Sequence, residues 1–193
     1  MPKLGMEPIR RDAIVKATIA ELGVKKSLDV TVSQIAKRAG MSSALAHHYF
    51  GGKDQIFLAA MRQILSDFGA EARQELKQAA PGERPHAIIR ACFGPACFTP
   101  DVIAAWMTFY VLAQTNGDAL RLWQIYQSRI RSNLIDAMRP ALSDPVEAAE
   151  DMIALIDGLY IRAALSAPEE PQLAVDHALR VLARFLEAEN DPT

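Results

Sequence analysis

"TVSQIAKRAGMSSALAHHYFGGK", residues 31–53, decides how the rest of the chain is read. Thr31 precedes a short helical run, and Gln34 three positions on completes the pattern of a capping box. Val30 and Ile35 stand where a hydrophobic staple would place them. Gly40 ends this helix. Ser42 caps another that runs to about Tyr49, and Gly51-Gly52 breaks it, because paired glycines cost too much backbone entropy to sit inside a helix. Two short helices joined through "RAGMS" predict a helix-turn-helix, whose second helix enters the major groove of duplex DNA.

On that second helix, Ala46 and Phe50 are four apart and are expected to face inward, leaving Ser43, Ala44, His47 and His48 outward. Small side chains at 43 and 44 let the helix approach base edges, where a hydroxyl can exchange hydrogen bonds and a methyl can meet thymine. The imidazoles and the Tyr49 hydroxyl reach bases or phosphates. Lys53 at a helix N-terminus and Ser33 in the first turn of the preceding helix suit phosphate oxygens. The candidate DNA-contacting set is therefore Thr31, Ser33, Ser42, Ser43, Ala44, Leu45, His47, His48, Tyr49 and Lys53. Adjacent helical residues point about 100° apart, so His47 and His48 are poorly placed to share a metal ion. Neither has a Ser, Cys or Asp partner at helical spacing that would make it a catalytic base. No cofactor and no metal are implied. An exposed, solvated surface is the plain alternative for these residues.

The charge distribution agrees with a polyanion partner at one end. Net charge over the 193 residues is −2, but residues 1–53 carry nine Lys or Arg against four Asp or Glu, and residues 54–193 carry twelve against nineteen. A basic head on an acidic body results, +5 against −7. Cys92 and Cys97 are the two cysteines. They are too few for a disulfide framework or a zinc site, and are expected to be reduced and near the core, as in a cytoplasmic protein. The N-terminus "MPKLGMEPIRR" lacks the apolar stretch of a signal peptide. The apolar run "VIAAWMTFYVLA", residues 102–113, is short of the ~20 residues needed to span a bilayer, so no membrane partner is expected.

Helical periodicity runs through nearly the whole chain and no alternating strand pattern appears, which predicts an all-α protein. "PIRRDAIVKATIAELG" reads as a first helix with Ile9, Ala13, Ala17, Ile19 and Leu22 turned inward and Gly23 as its stop. A long helix is expected from 53 to 80 and a turn at 81–85. Further helices are expected near 84–94, 100–116, 118–139, 145–166 and 171–188. Thr99-Pro100, Asp144-Pro145 and Glu170-Pro171 each pair a cap with proline at the first helical position. The expected organisation is a helix-turn-helix head over 1–52, a connecting helix over 53–80, and an effector-binding and dimerisation bundle over 81–193.

In the bundle, Trp106, Phe109, Tyr110 and Ala113 share a helical face. Asp157 lies in the apolar "LIDGLYI", with Tyr160 three residues on and Arg162 beyond; Trp123 and Tyr126 add aromatics between. A carboxylate among apolar neighbours needs a partner, Arg162 or a backbone group among them. Trp106, Phe109, Tyr110, Asp157 and Tyr160 are the candidate ligand-binding set, since aromatic faces with one carboxylate hold a quaternary ammonium. Packed core is the alternative for an aromatic stripe of this spacing. The helices near 145–166 and 171–188 are candidates for a two-fold interface, with Val175, Ala178, Leu179, Leu182 and Phe185 on one face.

"TVSQIAKRAGMSSALAHHYFGGKDQIFLAAM" resembles the DNA-binding domain of TetR-type repressors. Thr31, Ile35, Ala36, Ala39-Gly40, Ser42, Tyr49-Phe50 and Lys53 meet the pattern of that family at its fixed spacing. One departure is His47, where many members carry a phosphate-contacting tyrosine. The resemblance implies a homodimer that binds an inverted-repeat operator and a small effector in a variable C-terminal domain. "MPKLGMEPIRR", "AHHYF", "AAWMTFY" and "LIDGLYIRAALS" are similar to the subfamily of choline-responsive repressors of glycine betaine (osmoprotectant) synthesis genes. Choline as effector is implied by that resemblance alone; periodicity does not name it. A TetR-type repressor with another small apolar or cationic effector, a helical ligand-binding protein that does not use DNA, and an enzyme built on Asp157 are the other readings.

Overall fold

The computed structural model describes residues 5–166 and 171–190, with side chains placed through residue 187. The chain is all-helical, and no strand occurs among the described residues. The elements are α1 (Met6–Lys25), α2 (Val32–Arg38), α3 (Ser43–Phe50), α4 (Lys53–Gln78), α5 (Arg84–Cys92), α6 (Pro100–Ala113), α7 (Gly117–Met138), α8 (Pro145–Leu165) and α9 (Pro171–Asn190). One 3₁₀ turn, Pro81–Glu83, precedes α5. No helix among the described residues is long and apolar enough to cross a membrane.

Local chemistry sets the helix ends. The Thr31 backbone N–H donates to Gln34 Oε1 at 2.8 Å, and Thr31 Oγ1 accepts from the Gln34 N–H at 3.2 Å, which closes the expected capping box on α2. Ser42 Oγ accepts from the Leu45 N–H at 3.2 Å and starts α3. Asp144 Oδ1 accepts from the N–H groups of Val146 and Glu147, each at 3.2 Å, ahead of Pro145 at the start of α8. Gly51 takes φ 81° at the end of α3, a left-handed conformation that glycine adopts without strain. The expected Glu170 cap lies outside the described residues.

Two compact units result, one of residues through Ile64 with Pro100–Leu122, the other of Leu65–Thr99 with Trp123 onward. In the first, α1 packs against α2 and most extensively against α6, and α2 packs on α3. Its interior holds Ile14, Val30, Ile35, Ala36, Ala46, Ile56 and Leu58, all fully buried. Val30 and Ile35, the two staple positions, are both in that set. In the second unit α9 packs against α5 and α8 around Ile89, Ile130, Leu134, Met152 and Leu182.

Two expectations for α1 are corrected. Its inner face carries Ile14, Val15, Ala17, Thr18, Glu21 and Leu22, whereas Ile9 is 61% exposed and Ala13 and Ile19 are half-buried. Packing on two sides, against α2 and α6, widens and rotates the buried stripe beyond what one periodicity predicts. Gly23 does not stop the helix, which continues to Lys25 and ends with Lys26 in the left-handed conformation. Gly23 instead admits α6: a Cβ there would lie 1.9 Å from Asp101 Oδ1 and 2.9 Å from Asp101 Cα. Because the backbone of Asp101 itself is in the way, Gly23→Ala is expected to lower stability by about 1–3 kcal/mol in urea unfolding. Gly82→Ala, with nothing within 4 Å of its added carbon, is expected to change it by less than about 0.5 kcal/mol.

Candidate nucleic-acid interface and effector residues

The second helix of the helix-turn-helix presents one side to solvent. Ala44, His47 and His48 are exposed, Ser43, Leu45 and Tyr49 half-buried, and Ala46 fully buried against the head. Phe50, expected to face inward, is half-buried, with the Arg11 guanidinium 4.3 Å from its ring centroid. Thr31, Ser33 and Ser42 are exposed. Ser42 Oγ uses a lone pair for the Leu45 N–H and keeps its own proton for an outside acceptor. The Thr31 hydroxyl, by contrast, donates to Gln34 Oε1 at 3.1 Å. His47 Nδ1 sits 3.2 Å from the Gly51 carbonyl oxygen. Donation from Nδ1 to that carbonyl turns Nε2 outward, as an acceptor while the ring is neutral.

Lys53 makes a contact that its sequence position does not announce. Its Nζ donates to the Leu28 carbonyl oxygen at 2.8 Å and lies 5.8 Å from the Phe57 ring centroid. It ties the loop between α1 and α2 to the first turn of α4, and an ammonium retains further N–H donors for an anion. Sequence reasoning also missed the two arginines of α1 that meet the end of α3. Arg10 Nη1 donates to the Tyr49 hydroxyl at 3.3 Å, and Arg11 Nη1 donates to the Tyr49 carbonyl oxygen. These pairs lie 39 and 38 residues apart in sequence, beyond any helical spacing. Arg38, at the end of α2, is held by Glu21 at 2.6 Å.

Of the ligand-binding set, Trp106, Phe109 and Tyr110 belong to the first unit and Asp157 and Tyr160 to the second. The three on α6 do share a face: the Trp106 ring centroid is 6.0 Å from that of Phe109 and 5.7 Å from that of Tyr110. Trp106 and Phe109 are buried and Tyr110 is half-buried. The gap that Phe109 lines with Leu22, Phe57 and Met61 measures about 10 Å³, room for at most one water.

In the second unit, Tyr160 meets two rings that sequence reasoning passed over. Its centroid lies 5.0 Å from Phe98 and 6.0 Å from Phe93. Its hydroxyl sits 2.6 Å from the Cys92 carbonyl oxygen and 3.1 Å from that of Cys97, and donates its one proton into that pair. The signal was present in "ACFGPACF", residues 91–98, where Ala-Cys-Phe occurs twice around a turn. Asp157 is half-buried and accepts from Gln127 Nε2, on α7, at 3.3 Å.

Cys92 and Cys97 are both buried and free, as expected. Burial pushes the Cys92 thiol up to about 12 from its ordinary 9.0, and the carboxylates of Asp157 and Glu71 add to the shift. Burial, then Glu71, raise Cys97 as well, and its thiol donates to Glu71 Oε2 at 3.7 Å. Neither is a thiolate near neutral pH, so neither is a nucleophile. No group of three or more metal-ligating side chains occurs among the described residues.

Comparison with known proteins gives this geometry a family. Residues 14–60 match the model for bacterial regulatory proteins of the tetR family, and residues 81–190 match that for the C-terminal part of BetI-type transcriptional repressors. The HTH-type transcriptional regulator BetI of Brucella suis is 52% identical over 170 residues, covering 86% of each chain. The chain belongs to the TetR family. Another BetI, from Agrobacterium fabrum, is 47% identical over 172 residues, 87% of this chain and 84% of its own. Among solved structures, a Pseudomonas aeruginosa PAO1 transcriptional regulator superposes with TM-score 0.80 at 23% identity, over 97% and 95% of the two chains. A Saccharomonospora viridis regulator in complex with choline superposes with TM-score 0.73 at 22% identity, over 92% and 95%. As a TetR-family member with a BetI-type C-terminal part, the protein is a DNA-binding transcriptional repressor and not an enzyme.

Two outcomes follow. Lys53→Met, which removes the bond to Leu28, is expected to lower stability without DNA by about 1 kcal/mol in urea unfolding. At pH 8 both cysteines are expected to resist iodoacetamide in the native chain and to be alkylated, as counted by mass spectrometry, once it is unfolded in urea.

Proposed function

We propose that this TetR-family repressor acts as a homodimer on an inverted-repeat operator, and that choline is its effector. The observation that carries the DNA reading is the outward side of α3: a capped helix presenting Ala44, His47 and His48, with Ser43 and Leu45 beside them. Ser43, Ala44, Leu45 and His47 read base edges, while Thr31, Ser33, Ser42, His48, Tyr49 and Lys53 meet the sugar–phosphate backbone. Two copies of α3 then address half-sites about 34 Å apart, one helical turn, or a multiple of that. The functional segments are a head over 1–52, a connecting helix over 53–80 and an effector and dimerisation region over 81–193.

Dimerisation through α8 and α9 is supported by apolar side chains left outward there. Leu165 is 83% exposed, Leu173 57% and Ile161 43%. The α9 residues expected to pair across the two-fold are largely used within the protomer, since Val175, Ala178 and Leu182 are buried and Leu179 and Phe185 half-buried. The paired face is therefore the one bearing Ile161, Leu165 and Leu173. Sedimentation is expected to give a dimer, and Leu165→Glu with Leu173→Glu to shift it toward monomer.

Choline is favoured by two considerations: the BetI-type C-terminal match over residues 81–190, and the choline-bound state of the Saccharomonospora viridis regulator. Trp106, Phe109, Tyr110, Asp157 and Tyr160 supply the side-chain types a quaternary ammonium needs. By linkage, choline alters operator affinity only as far as its own affinity differs between the free and DNA-bound dimers. Calorimetry at millimolar choline is expected to show saturable heat, and its absence would remove choline while leaving the repressor. In a gel shift with the DNA upstream of its own gene, Ser43→Ala and His47→Ala are each expected to cost about 1–3 kcal/mol of specific binding. Unchanged binding at moderate salt would refute the base-contact assignment.

A further inference from the structure

We infer that Arg10 of α1 is part of the DNA-binding surface and acts through the Tyr49 hydroxyl, which it arms as a donor to a DNA phosphate. The inference deepens the proposed role of α3 and rests on it. A phenol oxygen has one proton and two lone pairs. Arg10 Nη1, at 3.3 Å, fills a lone pair of Tyr49 and leaves the proton to point elsewhere. An O–H whose oxygen already accepts from a guanidinium is a stronger donor than one without that partner, because hydrogen bonds in series polarise each other. A phosphodiester oxygen has the matching chemistry: a charged acceptor, drawn also by the fixed positive charge behind the hydroxyl.

Three further observations hold this pair in place. Arg10 and Tyr49 are both half-buried, so neither is free to swing through solvent. Arg11, the next residue, donates to the Tyr49 carbonyl and covers the Phe50 ring at 4.3 Å, which fixes the backbone that carries the phenol. The His48 ring flanks Tyr49, with centroids 5.5 Å apart, on the exposed side of α3. Arg10 is in none of the ion pairs described, whereas the other two head arginines are: Arg11 is 3.9 Å from Glu7 and Arg38 is paired with Glu21. Its charge is directed at a neutral hydroxyl. An arrangement meant only to pin α1 to α3 already has the Arg11 bond, whereas the Arg10 bond ends on a hydroxyl that keeps its proton for another acceptor.

A double-mutant cycle on the full-length protein tests this, with fluorescence anisotropy on a labelled duplex of the DNA upstream of its own gene. Binding of the unaltered protein tests the assignment of α3; the cycle tests Arg10. Arg10→Met keeps the apolar stem and removes the donor, and Tyr49→Phe removes only the hydroxyl. Each is expected to weaken binding roughly tenfold, a typical effect of losing a hydrogen bond to a charged group. The double variant is expected to be no weaker than the single ones, since both break one chain of contacts. Arg10→Lys, which keeps a charged donor, is expected to recover most of the loss. Multiplying losses, an Arg10→Met protein that binds like the unaltered one, or a loss that persists in Arg10→Lys and follows the urea midpoint, would each overturn the proposal.

Discussion

An eight-residue helix does not hold together in water on its own, because a helix nucleus costs more backbone entropy than two turns return. α3 is such a helix, and the DNA-binding surface depends on how the rest of the head stabilises it. Its first turn is closed by Ser42, Ala46 is fully buried with Leu45, Tyr49 and Phe50 half-buried beside it, and its last turn ends at a left-handed Gly51. Polar contacts at its C-terminal end add to that packing. The Arg11 bond to the Tyr49 carbonyl and the His47 contact to the Gly51 carbonyl satisfy acceptors that every helix end leaves open. A cation at that end also meets the negative pole of the helix. A rod so held presents its outer side chains without a further ordering cost when DNA binds.

The same head is joined to α6 inside one compact unit. Gly23 lets the start of α6 come against α1, and Asn116 Nδ2, just past the end of α6, donates to Asp54 Oδ2 at 3.1 Å in the first turn of α4. α6 is thus tied near its start to α1 and just past its end to α4. The ring cluster of Trp106, Phe109 and Tyr110 lies between those ends.

What could be read in the sequence was whatever short-range chemistry decides. The Thr31–Gln34 box, the Ser42 and Asp144 caps and the outward Ala44, His47 and His48 of α3 each depend on residues within four positions and occur as expected, whereas Ser43 and Phe50 are half-buried. The stripe of Trp106, Phe109 and Tyr110 obeyed one helical period for the same reason. Long-range partners were not legible. Arg10 and Arg11 reach Tyr49 across nearly forty residues, and Lys53 reaches Leu28 across twenty-five. Gly23 looked like a helix stop because a close approach by Asp101 leaves no mark nearby in sequence. Ile9 looked like core because periodicity locates an apolar stripe but not the neighbour that covers it. Tyr160 was read as a candidate ligand-binding aromatic, and its hydroxyl meets two carbonyls from the 92–97 turn, which only the folded chain brings to it.

Amide hydrogen exchange on the full-length protein, with and without the duplex from upstream of its own gene, addresses the central claim most directly. If α3 is a preformed rod that enters the groove, the amides of residues 43–50 exchange slowly in the free protein, and become slower still with DNA. Fast exchange there in the free protein, or protection by DNA confined to residues outside the helix-turn-helix, would contradict it.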